Sequence, residues 1–252
     1  MPTVAPPTPI LIIFPTYNEA ENIGALIPET LAVVAGLDAH VLVVDDDSTD
    51  GTGAIVRGLA GSNPRVHLLA RPGKNGLGTA YMAGFRYALD HGYNLAITMD
   101  ADFSHSPSHL PAVIAAAADG DVVVGSRYTR GGGIRNWPIH RKMLSAGANI
   151  LARTVLGVRS RDCTSGYRAY RREILEKVRF EDIRSDGYSF LIEMLTLCER
   201  MGARIRESPI QFVDRRGGVS KISRREIFKA FGTLWRMFWM RTKSPRSGPA
   251  AP

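Results

Sequence analysis

The alternation of short apolar runs with helical stretches constrains the fold of this chain more than any other feature. Each run has the length of a buried strand, and segments with helical periodicity separate one run from the next. Strands and helices that alternate in this way predict an α/β fold, a mostly parallel sheet with helices on both faces. With 252 residues, 44% of them hydrophobic, the chain can bury such a core in one domain. The predicted strands span 10–14, 41–44, 66–70, 95–99 and 122–125.

The pattern changes in the second half of the chain. A glycine-rich basic loop covers 127–137, and helical periodicity resumes over 140–156. A polar strand or loop is predicted over 162–170. A helix over 188–201 then precedes a strand over 205–212.

Three of the predicted strands lead into polar, mostly acidic loops. The carboxyl ends of parallel strands meet at one edge of a sheet, and open α/β sheets bind their ligands there. The sequence therefore predicts a site at this edge. The acidic residues concerned are Glu19 after the first strand, Asp45 and Asp46 after the second, and Asp100 and Asp102 after the fourth.

The triplet Asp100-Ala101-Asp102 is the candidate metal site. Residues two apart in an extended chain point the same way, so both carboxylates can aim at one point. Hard oxygen ligands suit Mg²⁺ or Mn²⁺, which usually complete their coordination with substrate phosphates. The alternative is a solvated turn whose aspartates cap the next helix.

The net charge of +8 is unevenly distributed. Residues 1–120 contain 5 Lys and Arg against 12 Asp and Glu, whereas residues 121–252 contain 27 against 12. An acidic first half suits a metal site, and a basic second half suits phosphates, a membrane surface or nucleic acid. The alternative is that most of these charges are simply solvated.

The proline-rich ends, 1–9 and 244–252, predict flexible tails. Cys163 and Cys198 lack C-x-x-C spacing, which favours inert thiols in a reducing compartment over disulfides or a zinc site. We expect neither a signal peptide nor a transmembrane helix, because no apolar run has the length or the flanking charges that these require. The protein is therefore expected to be soluble or peripheral to a membrane.

The segment 223–243 is predicted to be an amphipathic helix. Its apolar residues recur at helical spacing, with cations beside them. An aromatic stripe edged by cations is typical of a helix that lies in the plane of a membrane surface. The alternative is a helix packed on the core. The apolar residues are Ile227, Phe228, Phe231, Leu234, Trp235, Phe238 and Trp239.

Several motifs together resemble those of a known enzyme family. The segments 15–19 (PTYNE), 44–52 (VDDDSTDGT) and 100–102 (DAD) are similar to the family-2 inverting glycosyltransferases, whose fold is of the Rossmann-like GT-A type. Further motifs resemble the polyprenyl-phosphate (dolichyl-phosphate) mannose synthases, and the match implies a glycosyltransferase domain over 10–222. These motifs are Gly125 to Tyr128, Asn136 to Pro138, Thr164 to Arg168, and Ser220-Lys221.

The chain departs from this family at two positions near the expected site. Asp47 stands where the family more often has glycine, and an acidic side chain there is expected to alter the turn near the nucleotide base. Ser104 stands where some relatives carry a glutamine that serves as an additional metal ligand.

The resemblance implies transfer of mannose from GDP-mannose to a polyprenyl phosphate with Mg²⁺ or Mn²⁺, at the cytoplasmic face of a membrane. A separate membrane-anchoring partner is compatible with it, and no nucleic-acid partner is expected. Glucose or N-acetylglucosamine in place of mannose is a close alternative. A different class, a non-catalytic protein that binds polyanions or membranes, would leave the acid-ended strands unexplained.

The resemblance also implies roles for individual residues. Asp100 and Asp102 would hold the metal and, with Arg127, carry catalysis. Arg141 and Ser145 would join Arg127 at the acceptor phosphate, although a solvated helix face is the alternative for these two. The expected donor-binding residues are Pro15, Tyr17, Glu19, Asp45, Asp46, Lys74, Ala101, Arg215 and Lys221.

The mechanism implied needs no catalytic histidine or serine. A lipid phosphate is already anionic near neutral pH, so positioning and electrostatics suffice for its attack. We expect His105 either to be structural or to support the nearby acidic pair without contacting the substrate. For Glu193 the sequence leaves a position in the sugar pocket and a solvated helix face as alternatives.

Overall fold

The protein is described by a computed structural model that covers residues 8–214. The two predicted tails lie largely or wholly outside this range, as do the predicted amphipathic helix and the donor-site residues Arg215 and Lys221. Across residues 8–214, no helix combines the length and the apolar character that a bilayer crossing requires.

Strands and helices alternate through the described chain. The strands are β1 (Ile10–Thr16), β2 (Ala39–Asp45), β3 (Val66–Ala70), β4 (Leu95–Thr98), β5 (Val122–Ser126), β6 (Gly133–Arg135), β7 (Arg168–Arg171), β8 (Ile205–Pro209) and β9 (Gln211–Val213). The helices are α1 (Ala20–Val33), α2 (Thr52–Ser62), α3 (Leu77–Asp90), α4 (Leu110–Ala116), α5 (Ile139–Leu156), α6 (Arg172–Leu175) and α7 (Tyr188–Arg200).

The main sheet has seven strands within the described chain, in the order β3-β2-β1-β4-β7-β5-β8. Strand β7 runs antiparallel to both of its neighbours, and the remaining pairs are parallel. The predicted mostly parallel α/β sheet is therefore confirmed.

Alternate residues of β1 point into two hydrophobic cores, one on each face of the sheet. Leu11 and Ile13 join a cluster with residues of α3, α5 and α7. Ile10, Ile12 and Phe14 join the other cluster, with residues of α1 and α4. Each large apolar side chain that is fully buried stabilises the fold by about 1.5–3 kcal/mol, so the central strands are rigid supports for the loops that follow them.

The predicted strand over 205–212 is wrong in one respect, because it is two strands in two sheets. β8 ends at Pro209, which pairs with Ser126 at the end of β5. The chain then leaves the main sheet, and β9 pairs in parallel with β6. The polar segment over 162–170 is a loop that becomes a strand only at Arg168.

The glycine-rich segment that contains β6 requires glycine for steric reasons. A Cβ atom at Gly132 would lie 2.4 Å from the carbonyl oxygen of Ser126, far closer than van der Waals contact allows. The segment can therefore fold back against the end of β5 and present β6 to β9.

Candidate active site

The three strands with acidic ends are neighbours in the sheet. β1 lies between β2 and β4, with Thr16 opposite Asp45 and Ile13 opposite Thr98. Their carboxyl ends therefore open onto one edge, where the sequence predicted a site.

The loops after β1 and β2 are joined to each other. Asn18, in the left-handed region with a φ of 58°, is central to this contact. Four hydrogen bonds, each 2.9 Å long, hold the two loops together. The donors are the backbone N–H groups of Asn18, Thr49, Glu19 and Ala20, and the respective acceptors are Ser48 Oγ, Asn18 Oδ1, Thr52 Oγ1 and Asp50 Oδ2.

Asp45 is buried, and its carboxylate stabilises the loop that follows β2. The hydroxyls of Thr16 and Ser48 donate to its Oδ1 at 2.7 and 2.6 Å. Asp47 has a φ of 57°, the left-handed conformation that glycine adopts most easily. Glycine at this position, as in much of the resembled family, would therefore suit the same turn.

Asp46 is also buried, and it organises the next loop. Its Oδ2 accepts hydrogen bonds from the backbone N–H groups of Asn75 and Gly76, both 3.1 Å. Its Oδ1 lies 3.0 Å from Arg71 Nη1. Asp45 and Asp46 therefore shape the walls of the predicted nucleoside site.

Tyr17 and Lys74 meet across these loops, with Lys74 Nζ 3.8 Å from the centre of the Tyr17 ring. Pro15 is half-buried at the end of β1, and Glu19 Oε2 accepts a hydrogen bond from Asn22 Nδ2 at 3.1 Å. The structure thus brings predicted donor-site residues from separate loops to one end of the sheet.

The Asp100-Ala101-Asp102 triplet is held by its surroundings on several sides. The Asp100 backbone N–H donates to His105 Nδ1 at 3.0 Å, and the Tyr81 hydroxyl donates to Asp100 Oδ1 at 3.3 Å. Asp102 Oδ1 accepts from the Ser104 backbone N–H at 3.1 Å. His105 is buried, and its contact with Asp100 agrees with the structural role expected from the sequence.

Two backbone features show how tightly this turn is built. Phe103 has a φ of 60°, which is rare for an aromatic residue and typical of functional turns. Gly166 lies so close that a Cβ there would be 3.1 Å from Asp100 Oδ1 and 3.0 Å from the Tyr81 hydroxyl. The loop before β7 therefore closes against Asp100.

The triplet fits a divalent cation that takes further ligands from a diphosphate. Asp100 is one-third exposed, whereas Ala101 and Asp102 are buried. Within residues 8–214, no three His, Cys, Asp or Glu side chains are grouped as metal ligands. Ser104 Oγ is buried beside Asp102 without a hydrogen-bond partner among these residues. Two carboxylates suit Mg²⁺ or Mn²⁺, because such an ion usually takes only one or two ligands from the protein and the others from water and substrate phosphates.

Arg127 follows β5 and forms a buried ion pair with Asp162. Its Nε and Nη2 donate to the two carboxylate oxygens at 2.7 Å each, and Nη2 also donates to Thr164 Oγ1 at 2.7 Å. Burial alone would raise the pKa of Asp162, but the charge and hydrogen bonds of Arg127 hold that pKa below its usual value. The rings of Tyr128, Trp137 and Phe212 lie within 6 Å of the guanidinium.

Asp162 is a residue whose importance was not predicted from the sequence. It lies two residues before the motif that begins at Thr164. An acidic residue among the basic residues of the second half could have indicated an ion pair at this position.

Arg141 and Ser145, on α5, are partly buried and engaged by other side chains. Arg141 Nη1 lies 3.2 Å from Asp214 Oδ1, and its guanidinium lies 3.9 Å from the centre of a Trp137 ring. The Tyr128 hydroxyl donates to Ser145 Oγ at 2.7 Å. The alternative of a solvated helix face is therefore wrong for both residues.

Glu193 on α7 is likewise buried, so a solvated helix face is wrong for it too. Its Oε2 accepts a hydrogen bond from the backbone N–H of Ser185 at 2.9 Å. This contact fixes the loop that precedes α7.

Comparison with known proteins shows which family the chain belongs to. The family model described as Glycosyl transferase family 2 matches residues 11–179. A polyprenol monophosphomannose synthase from Mycolicibacterium smegmatis is 45% identical over 230 residues, which cover 90% of this chain and 86% of that protein. An undecaprenyl-phosphate mannosyltransferase from Micrococcus luteus is 45% identical over 214 residues, which cover 85% and 87% of the two chains.

The fold is also shared with a solved structure. Glucosyl-3-phosphoglycerate synthase from Mycobacterium tuberculosis, in complex with Mn²⁺, UDP and glucosyl-3-phosphoglycerate, has a TM-score of 0.65 over 95% of this chain and 81% of that chain. At 20% identity this likeness concerns the fold. The same synthase with Mg²⁺ and UDP has a TM-score of 0.64. From its motifs, its GT-A-like sheet and these relatives, the chain is a glycosyltransferase and belongs to glycosyl transferase family 2.

Proposed function

We propose that this enzyme transfers mannose from GDP-mannose to a polyprenyl phosphate and inverts the anomeric carbon. The observation that carries the proposal is the 45% identity to two enzymes named for mannose transfer to polyprenol-type acceptors, over most of each chain. The acidic edge and the arginines beside it support the assignment, because they supply one place for a nucleotide sugar and another for an acceptor phosphate.

The donor would lie at the loops after β1, β2 and β4. Tyr17 and Lys74, which are in contact, would border the nucleoside together with Pro15 and Glu19. The buried carboxylates of Asp45 and Asp46 keep the adjoining loops in place.

The diphosphate would lie at the Asp100-Ala101-Asp102 turn. Asp100 and Asp102 would hold Mg²⁺ or Mn²⁺, and the bound ion would stabilise the charge of the departing nucleoside diphosphate. Arg215 and Lys221 follow the described chain, and we propose them as further cationic contacts of the donor.

The acceptor phosphate would lie between β5 and α5. Arg127, Arg141 and Ser145 supply cationic and hydroxyl donors there, and carboxylates at Asp162 and Asp214 orient the two guanidinium groups. Because the lipid phosphate is already anionic, these residues would act by positioning it and by balancing its charge.

The exposed side of α5 supports a peripheral position on a membrane. Ile139, Met143 and Ile150 are 76%, 70% and 61% exposed, and their spacing places them on one face of the helix. Exposed apolar side chains near cations such as Lys142 and Arg153 suit the surface of an anionic membrane. Arg141 and Ser145 lie on the other side of the same helix, so this orientation would place the proposed acceptor site about 10 Å, one helix diameter, from the cytoplasmic lipid headgroups.

The closest alternative keeps the acceptor and changes the sugar to glucose or N-acetylglucosamine. The names of the two relatives favour mannose. A non-catalytic polyanion-binding protein is no longer supported, because the chain belongs to an enzyme family.

The test is a transfer assay with purified enzyme, a short-chain polyprenyl phosphate and a panel of sugar nucleotides. We expect turnover with GDP-mannose, restored by Mg²⁺ or Mn²⁺ after treatment with a chelator. Turnover with UDP-glucose or UDP-N-acetylglucosamine alone would assign the other sugar. Transfer that is unaffected by chelation would contradict the metal dependence.

A further inference from the structure

The buried side chain of Asn149 joins α5 to the loop before β7. Asn149 is 3% exposed, and its Oδ1 accepts a hydrogen bond from the backbone N–H of Cys163 at 2.6 Å. Its Nδ2 donates to Thr164 Oγ1 at 3.2 Å and to the carbonyl oxygen of Ser145 at 2.9 Å. The amide therefore uses both of its donor hydrogens and its acceptor oxygen within the protein.

Thr164 connects this amide to Arg127. Its Oγ1 accepts hydrogen bonds both from Asn149 Nδ2 and from Arg127 Nη2, the latter at 2.7 Å. Arg127 is fixed in turn by Asp162, the residue at the start of the same loop. A continuous path of hydrogen bonds thus runs from α5 to the guanidinium group.

Arg141 and Ser145 lie eight and four residues before Asn149 on α5. Residues four apart in a helix share a face, so the position of Asn149 determines where that face stands relative to Arg127. A helix that rotates or slides would separate the two groups of phosphate-binding residues.

We infer that Asn149, acting through Thr164, positions Arg127, Arg141 and Ser145 so that one acceptor phosphate can contact all three. Asn149 is a positioning residue, since its polar atoms are bonded to protein groups. The inference rests on the proposed function, and it adds the residue that holds the two parts of the proposed acceptor site together.

Loss of the hydrogen bonds that join Asn149, Thr164 and Arg127 should weaken acceptor binding more than donor binding. A buried hydrogen bond contributes modestly to stability, and residues held in place before binding lower the cost of binding. For Asn149→Ala and for Thr164→Val we expect the acceptor KM to rise about tenfold while the donor KM changes by less than about twofold.

The experiment measures farnesyl phosphate binding by calorimetry in the presence of Mg²⁺ and GDP, together with both KM values. The variants are Asn149→Ala, Thr164→Val and the double variant. The matched control is Thr154→Val, the same substitution on α5 at a hydroxyl that bonds only the carbonyl of Ile150 among the contacts described. GDP binding and thermal unfolding are recorded for each protein.

If the hydrogen bonds of Asn149 and Thr164 act together, the double variant should bind farnesyl phosphate about as weakly as either single variant, because both substitutions remove the same connection. Thr154→Val should bind like the wild type. Should Asn149→Ala fail to fold, Thr164→Val, which keeps the side-chain shape, provides the measurement.

Two results would overturn the inference while leaving the proposed function intact. One is a wild-type affinity for farnesyl phosphate that neither substitution changes. The other is an equal loss of GDP and farnesyl phosphate binding with additive effects, which would indicate general loosening. A wild-type enzyme that binds no farnesyl phosphate would instead refute the proposed acceptor, and the inference with it.

Discussion

Arg127 and Asp162 form a bidentate ion pair in which both hydrogen bonds are 2.7 Å long and both residues are buried. The Arg127 backbone N–H donates to the same carboxylate at 3.0 Å. The pair therefore fixes the end of β5 as well as the guanidinium. A buried charge that loses its partner is costly, which makes this pair a sensitive test of the site.

Replacement of Asp162 by asparagine should lower the free energy of unfolding by about 3–5 kcal/mol, because it removes the buried carboxylate to which Arg127 donates two side-chain hydrogen bonds. Urea unfolding monitored by circular dichroism measures this. The control is Asp121→Asn, which breaks the exposed pair with Arg204 and should cost about 1 kcal/mol or less. Equal effects of the two substitutions would contradict the buried-pair argument.

Replacement of Asp102 by asparagine should reduce transfer by at least about 100-fold, because a neutral amide is a poor ligand for Mg²⁺ or Mn²⁺. The initial rate at saturating donor and acceptor measures this, and Mn²⁺ binding followed by electron paramagnetic resonance gives a second readout. Asp119→Asn, on the surface after α4, is the control and should retain wild-type rates. An active Asp102→Asn enzyme would refute the metal assignment.

Replacement of Gly166 by alanine should impair the enzyme through steric contact. The added Cβ would lie about 3 Å from the Asp100 carboxylate and the Tyr81 hydroxyl, so Asp100 must shift and Mn²⁺ binding should weaken by about tenfold. Gly58→Ala is the control, because a Cβ at this position in α2 meets nothing within 4 Å. That variant should be fully active and about 0.5–1 kcal/mol more stable. Wild-type Mn²⁺ affinity in Gly166→Ala would refute the close approach.

The stability of the protein should fall below pH 6.5 because of His67. Its Nε2 lies 3.0 Å from His40 Nδ1, and burial, with the nearby His40 and His91, lowers the pKa of His67 from its ordinary 6.5. The unfolded chain then binds the proton more readily, so this contribution to stability is complete above pH 6.5 and is lost as the pH falls through the folded pKa.

Urea unfolding between pH 5 and 8 measures this effect, and His67→Gln should flatten the profile below pH 6.5. His140→Gln, at an exposed position, should leave the profile unchanged. An unaltered slope in His67→Gln would show that other groups cause the pH dependence.

The double substitution Ile139→Glu with Ile150→Glu should reduce binding to vesicles that contain anionic lipid by at least about tenfold, because it places charges on the exposed apolar face of α5. Co-sedimentation with the vesicles measures this, and GDP binding should be unaffected. Ala32→Glu with Ala115→Glu, which adds the same charge at exposed positions elsewhere, is the control. If both double variants lose binding equally, net charge rather than α5 governs the association.

Much of the fold was predictable because its signals are local. Apolar runs such as 10–14 and 41–44 carry the periodicity of buried strands, and the confirmed α/β sheet follows from their alternation with helices. The acidic turn at Asp100 was found for the same reason, since its residues are adjacent in sequence.

The remaining features depend on contacts between distant residues. β6 is a strand because it pairs with β9, whose residues lie 78 positions further along the chain. The importance of Asp162 comes from Arg127, 35 residues away. A local pattern carries neither relationship, and it also does not carry the contact of Arg141 with the Trp137 ring or the hydrogen bond from Tyr128 to Ser145.

The reversed direction of β7 means that the loop before it reaches the edge of the sheet at which β1, β2 and β4 end. That loop contacts Arg127 through Asp162 and lies against Asp100 through Gly166. A change in the length or composition of this one loop would therefore act on the Asp100-Ala101-Asp102 turn and on the buried ion pair at once.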